Sequence, residues 1–150
     1  MANMGLRTLK FRGYNKKRGI WLYGNYILNR GAHFIAPQEF ADGKTWEDYE
    51  VEEESIGQFV FSTYVTKAKK VVDIYEGDIL RGFQPYEDGK HVGFVKYDQY
   101  TQRFKLVTQR GNSYHLEDLV VFTIDEVIGK AYDQVLEDKG WTKMQDGKPA

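Results

Sequence analysis

Apolar and polar residues alternate with a period of two through much of the chain, as they do in strands that bury one face. In Thr8-Leu9-Lys10-Phe11-Arg12, Leu9 and Phe11 share one side and Lys10 and Arg12 the other. Ile20-Trp21-Leu22-Tyr23 follows a glycine-bounded basic connection, Gly13 to Gly19, that suits a hairpin loop. The same pattern predicts strands over 55–61, 78–83, 91–98, 103–108, 119–124 and 126–132, with Val92/Phe94 and Phe104/Leu106 as buried pairs. Polar, Gly-rich stretches at 85–90, 99–102 and 110–113 punctuate them. The chain holds 11 Tyr, 9 Phe and 3 Trp, an aromatic content that favours strands. Such spacing predicts a mainly β small barrel or sandwich, and the crossover helices of a parallel α/β fold are not visible.

Two stretches depart from this rhythm. Over 37–54, Thr45-Trp46-Glu47-Asp48 suits the cap of a short helix, Thr45 accepting a backbone bond and Asp48 answering from the first turn, while 48–51 equally suits a strand. Residues 136–150 are polar and read as a frayed tail, leaving 1–135 as a single β domain. No repeat, heptad or long linker divides the chain.

Composition narrows the classes. The 150 residues are 41% hydrophobic and carry 21 Lys plus Arg against 22 Asp plus Glu, the profile of a soluble globular domain. No Cys is present, which removes disulfide scaffolds, thiol catalysis and Cys-ligated zinc. The longest apolar stretch, 119–124, is too short for a bilayer, and the first ten residues lack a signal-peptide core, so no membrane partner and a cytoplasmic location are expected. Charge is blocked: residues 1–30 hold seven basic residues and no acid, and residues 31–54 hold eight acids and one Lys. The blocks fit a basic ligand site beside an acidic loop, two segments of one fold lying together, or copies exchanging complementary faces in a homo-oligomer.

Candidate chemistry is sparse. Gly43-Lys44-Thr45 imitates the end of a phosphate-binding loop, but the glycine required earlier is Gln38. His33, His91 and His115 stand in separate segments, so no metal or other cofactor is expected. Glu76-Gly77-Asp78 places two carboxylates on one side of a strand, where acid and base work is conceivable, yet Gly before an apolar strand is also what a tight turn needs. No catalytic residue is therefore assigned. Lys90 to Tyr97 contains Gly-Phe-Val-x-Tyr, a partial match to the aromatic strand of an RNA-recognition motif without its flanking plan. The stronger binding candidate is the basic hairpin. There Arg12, Lys16, Lys17 and Arg18 suit phosphates and Tyr14, Trp21 or Tyr23 suits base stacking; the alternative is that these aromatics simply pack the core.

Five segments in order carry a family resemblance. Leu9-Lys10-Phe11-Arg12-Gly13-Tyr14, Trp21-Leu22-Tyr23-Gly24, Ser55-Ile56-Gly57-Gln58-Phe59, Asp73-Ile74-Tyr75-Glu76-Gly77-Asp78-Ile79-Leu80 and Glu126-Val127-Ile128-Gly129-Lys130-Ala131-Tyr132 together resemble the YopX family of phage and prophage proteins. After Phe59 this chain runs Val60-Phe61-Ser62-Thr63-Tyr64 and a longer basic loop, 67–70, where the family usually has Thr-Gly-Leu and a short turn. The resemblance implies a mainly β fold with a small SH3-like barrel around Asp78 to Val107, an additional N-terminal β-hairpin region, short helical or irregular segments, and action in the bacterial host cytoplasm. It supplies no activity and no catalytic residue. The expected function is a non-enzymatic accessory protein that binds a host protein or a small nucleotide-like ligand in counter-defence or host takeover. The alternative is an RNA or single-stranded DNA binder using the basic hairpin.

Overall fold

The computed structural model describes residues 10–37, 41–83, 90–108, 113–115, 123–138, 144–145 and 148–149. The chain divides into two compact units, residues 1–59 with 136–150, and residues 60–135. The boundaries fall inside the strand 57–65 and the single helix.

The first unit is built on three antiparallel strands, β1 (Phe11–Asn15), β2 (Ile20–Asn29) and β3 (Ala32–Ala36). The expected loop from Gly13 is shorter than predicted, because Tyr14 and Asn15 stay in the ladder opposite Trp21 and Ile20. The turn is therefore 16–19, closed by the Gly19 N–H on the Asn15 carbonyl at 2.8 Å. β2 joins β3 through Arg30 and Gly31, both at positive φ (52° and 80°), the two-residue turn whose twist matches paired strands. Nothing in the alternation marked β3, a short strand directly after this turn.

Residues 41–55 complete the unit. Thr45 and Asp48 cap the 3-10 turn Trp46–Tyr49, with the Thr45 N–H donating to Asp48 Oδ2 at 2.9 Å, so the capping reading holds, though as 3-10 rather than α-helix. The chain then crosses β3 and β1: the Val51 N–H donates to the His33 carbonyl at 2.9 Å and the Glu52 N–H to the Tyr14 carbonyl at 3.0 Å. The approach is so close that a Cβ on Gly13 would lie 2.8 Å from Val51 Cβ. Glycine is required there by space. Tyr14, Ile35, Ala36, Tyr49 and Val51 are buried. The start of β4 (Gly57–Val65) pairs with β1, Gly57 opposite Arg12.

In the second unit the rest of β4 turns at 66–69 into β5 (Lys70–Tyr75), with Lys69 at φ 56°. A β4–β5 hairpin thus forms where residues 60–64 and the basic loop 67–70 depart from the pattern of the resembled family. β6 (Asp78–Phe83), β7 (Lys90–Asp98), β8 (Arg103–Thr108), β9 (Ser113–His115) and β10 (Thr123–Lys130) form an antiparallel sheet in the order β10-β6-β7-β8-β9. The two strands expected at 119–124 and 126–132 are one strand with register shifts at 124/126 and 127/129; residues 119–122 lie outside the described residues. Among the described residues the sheet does not close into the expected SH3-like barrel. β10 receives the 66–67 turn, through the Thr66 N–H on the Ile124 carbonyl and the Lys67 N–H on the Asp125 carbonyl, instead of pairing with β9.

The core of this unit is Val65, Ile74, Leu80, Val95, Leu106 and Ile124, with Val60, Phe61, Val72, Phe104 and Val127 packed against it. Phe104/Leu106 is the inward pair of β8, as predicted. Val92/Phe94 is not the inward pair of β7. Val95 lies opposite Leu106 and Gly93 opposite Thr108, so Gly93 and Val95 face the core and Phe94 turns outward, 37% exposed. The cause is glycine on the inner face: a Cβ at position 93 would sit 2.7 Å from the Val107 carbonyl oxygen.

The helix α1 (Tyr132–Asp138) follows β10, with Tyr132 and Leu136 buried, and β11 (Met144–Gln145) pairs with β12 (Lys148–Pro149) in the C-terminal stretch. Among the described residues no helix is long and apolar enough to cross a membrane.

Candidate functional site

The β1–β2 turn carries the cations singled out in the sequence, and the fold brings the acidic segment 46–52 onto them. Asn15, buried at the end of β1, is the pivot. Its Nδ2 donates to the Glu50 carbonyl at 2.7 Å and the Glu47 carbonyl at 3.2 Å, while its Oδ1 accepts the Arg18 N–H at 2.7 Å. One side chain thereby fixes both the turn and the segment packed on it. A buried amide is stable here because each of its polar atoms has a partner.

The cations then meet their counter-charges. Lys17 Nζ lies 3.0 Å from Asp48 Oδ1 and 3.8 Å from Glu47 Oε2. Arg18 Nε donates to the Asp48 carbonyl at 3.1 Å, and its guanidinium lies 5.4 Å from the Tyr49 ring centroid. The Asp48 carboxyl is held down at about 2, first by the Thr45 backbone N–H and then by the Lys17 ammonium. Of the three arrangements the charge blocks allowed, contact between two segments of one fold is the one seen within this unit.

The remaining candidate residues occupy the ladder. Arg12 and Tyr14 are buried, and burial raises the Tyr14 pKa. Arg12, Tyr14, Trp21 and Tyr23 share one face of the β1–β2 pair, since directly opposed residues project to the same side. The Arg12 guanidinium lies 5.2 Å from the Trp21 ring centroid, and Tyr14 meets Trp21 edge-on at 5.7 Å. Trp21 is therefore clasped by protein groups on the sheet, while Tyr23 at the same face is half exposed. Lys16 is exposed on the turn.

Between the turn and the acidic segment lies a cleft of about 470 Å³ lined by Asn15, Lys16, Lys17, Glu47, Glu50 and Glu52. The lining residues include three glutamates and two lysines, a mixture that suits a polar partner carrying both signs of charge and disfavours a polyphosphate. Trp46, half exposed and edge-on to Phe34 at 5.3 Å, precedes the acidic residues of this lining. Sequence reasoning missed Asn15 and the Glu47, Glu50 and Glu52 wall. The charge blocks were the available signal, but which acid meets which cation depends on a segment some thirty residues away.

The other motifs have structural duties. The Asp78 carboxylate is buried and accepts the Tyr75 N–H at 2.8 Å, while Gly77 sits at φ 94°, so Glu76-Gly77-Asp78 forms the turn between β5 and β6. His33 Nδ1 and the Tyr26 hydroxyl are 2.7 Å apart with their rings stacked, and His33 Nε2 lies 3.8 Å from Glu53 Oε2. Gly43 lies in a turn at φ 78°, and Gln38, where a phosphate-binding loop needs glycine, lies outside the described residues. No group of three or more potential metal ligands occurs among the described residues.

No curated protein and no solved structure matches the chain at a significant level. A family model described as YopX protein matches residues 10–136, a span that takes in the stapled hairpin, the acidic segment and the whole second sheet. The chain belongs to the YopX family.

Proposed function

We propose that this chain is a non-enzymatic accessory protein of a phage or prophage that binds a host protein, in counter-defence or host takeover. The cleft of the first unit supports a protein target over a nucleotide-like one. Its lining of Lys16, Lys17, Glu47, Glu50 and Glu52 complements side chains of both signs, and a phosphate group entering it meets three carboxylates. Trp46 adds the aromatic surface that protein interfaces favour. The same lining weakens the alternative of RNA or single-stranded DNA bound by the basic hairpin, because Lys17 and Arg18 already answer Asp48 and Tyr49. The reading includes action in the bacterial host cytoplasm, a homo-oligomeric state, and an SH3-like curvature of the second sheet.

Affinity capture from host lysate tests it. The wild-type chain retains a defined host protein, and Glu50→Lys or Glu52→Lys reduces its recovery at unchanged thermal stability. Equal recovery with both variants, or no retained protein, removes the cleft as the binding surface.

A further inference from the structure

The outward face of the second sheet carries a different arrangement, independent of the cleft. Because directly opposed residues share a side, Phe94, Lys96 and Asp98 of β7 project outward together with Val107, Lys105 and Arg103 of β8. Lys96 stands directly opposite Lys105. Like charges so placed lie with Cβ atoms about 5 Å apart and destabilise a sheet. Only one of the two lysines is answered: Asp98 Oδ2 takes Lys105 Nζ at 3.1 Å, and Asp98 Oδ1 accepts the Tyr100 N–H at 3.0 Å. Lys96 is exposed and makes no ion pair among the described residues. Two positions along the strand, about 6.6 Å by strand rise, Phe94 presents its ring at 37% exposure beside Ile79 and Val107. Toward β10, Glu126 is shared by Arg81 at 2.9 Å and Lys67 at 3.2 Å, so this edge of the face adds no uncompensated acid.

We propose that this face binds single-stranded nucleic acid, a base stacking on Phe94 and the adjoining phosphate meeting Lys96. Charge complementarity selects the partner. An exposed aromatic set one side-chain step from an unpaired lysine on a sheet serves a polyanion with flat, apolar bases, and a duplex buries those bases out of reach. The positions opposite Phe94 and Lys96 on β6 and β8, Ile79, Val107 and Lys105, carry no hydroxyl or amide to read a base edge or a ribose 2′-hydroxyl, so the contact is indifferent to sequence and sugar. Asp98 does not oppose the strand, since its two oxygens are turned to Lys105 and the Tyr100 amide.

The test is fluorescence anisotropy of the full chain with fluorescein-labelled dT15, U15 and a 15-base-pair duplex over a salt series. The wild type binds dT15 and U15 alike, binds the duplex more weakly, and loses affinity as salt rises. Phe94→Leu keeps the apolar contacts and loses the stacking surface, so it weakens single-strand binding about tenfold. Lys96→Gln lowers the log–log salt slope by about 0.7, the release accompanying one phosphate. Thermal melting of each variant checks that the fold is intact, and Lys96→Gln, exposed and unpaired, keeps the test decisive if Phe94→Leu is unstable. The proposal is overturned if the wild type does not bind dT15 at low salt, if both variants bind as the wild type does, or if replacing Lys16 alone abolishes binding while the two face variants retain it.

Discussion

The lysines of the β1–β2 and β7–β8 hairpins do opposite things. In the β1–β2 hairpin, Lys17 and Arg18 reach a segment some thirty residues further along the chain and pin it through Asp48. In the β7–β8 hairpin the ion pair of Asp98 with Lys105 is local, and Lys96 is left facing solvent opposite another lysine. A positive turn in the first unit is thus part of the scaffold, whereas a positive strand face in the second is a surface held against its own repulsion. Charge alone does not distinguish them; the location of the counter-charge does.

Four measurements sharpen or break this contrast. The largest effect belongs to the core beneath the second hairpin. Leu106→Ala removes a fully buried side chain from the cluster it forms with Val95 and Leu80 and should cost about 2–5 kcal/mol in urea unfolding. A loss below about 1 kcal/mol would mean that β7 and β8 do not close on that cluster. Next is Asn15→Ala, which leaves the Glu50 and Glu47 carbonyls and the Arg18 amide without their shared partner and should cost about 1–3 kcal/mol. Capture of the proposed host protein should fall with it, since the cleft wall is no longer held.

The third measurement uses acid. The Asp48 carboxyl titrates at about 2 in the folded chain, below its ordinary value, so the unfolded chain takes up the proton first as pH falls. The stability Asp48 supplies is complete above about pH 4, declines between about 4 and 2, and is absent below that range. Asp48→Asn should therefore unfold at lower urea than the wild type at pH 7, and the gap between the two should narrow through that window. A gap that stays constant with pH would show that Asp48 acts by packing instead of charge.

The smallest effect has the opposite sign. Lys96→Thr relieves the cross-strand repulsion with Lys105 and introduces a β-branched residue, so it should stabilise the chain by about 0.2–1 kcal/mol while weakening single-strand binding. Lys17→Gln, by contrast, should lower the urea midpoint. If both lysine variants shift stability in the same direction, the two hairpins do not differ in how their lysines are held.

Particular residues show where sequence reading succeeded. Gly77-Asp78 was legible as a turn because the requirements are local: a positive φ for the glycine and a carboxylate able to bond back to an amide three residues earlier. Thr45 and Asp48 were legible as a cap for the same reason. The inward side of β7 was not, since Val92/Phe94 and Gly93/Val95 differ by one register step, and a glycine packed under Leu106 and the Val107 carbonyl gives the alternation no apolar signal. β3 was missed because Ala32–Ala36 follows its turn immediately and holds two alanines at its ends.

By itself, then, the sequence determined the mainly β class, the family, the turns at 76–78 and 99–102, and the separation of charge into a basic and an acidic block, while the polar stretches at 85–89 and 110–112 lie outside the described residues. These depend on period-two patterning, on glycine at special angles and on composition, all properties of residues near one another in the chain. Tertiary structure alone decided that Asn15 would bind two distant carbonyls, that Lys17 would be spent on Asp48, that Arg12 and Tyr14 would be buried, and that Lys96 would remain outside. Each of those outcomes depends on which segment arrives beside the residue, and long-range partners leave no mark on local periodicity.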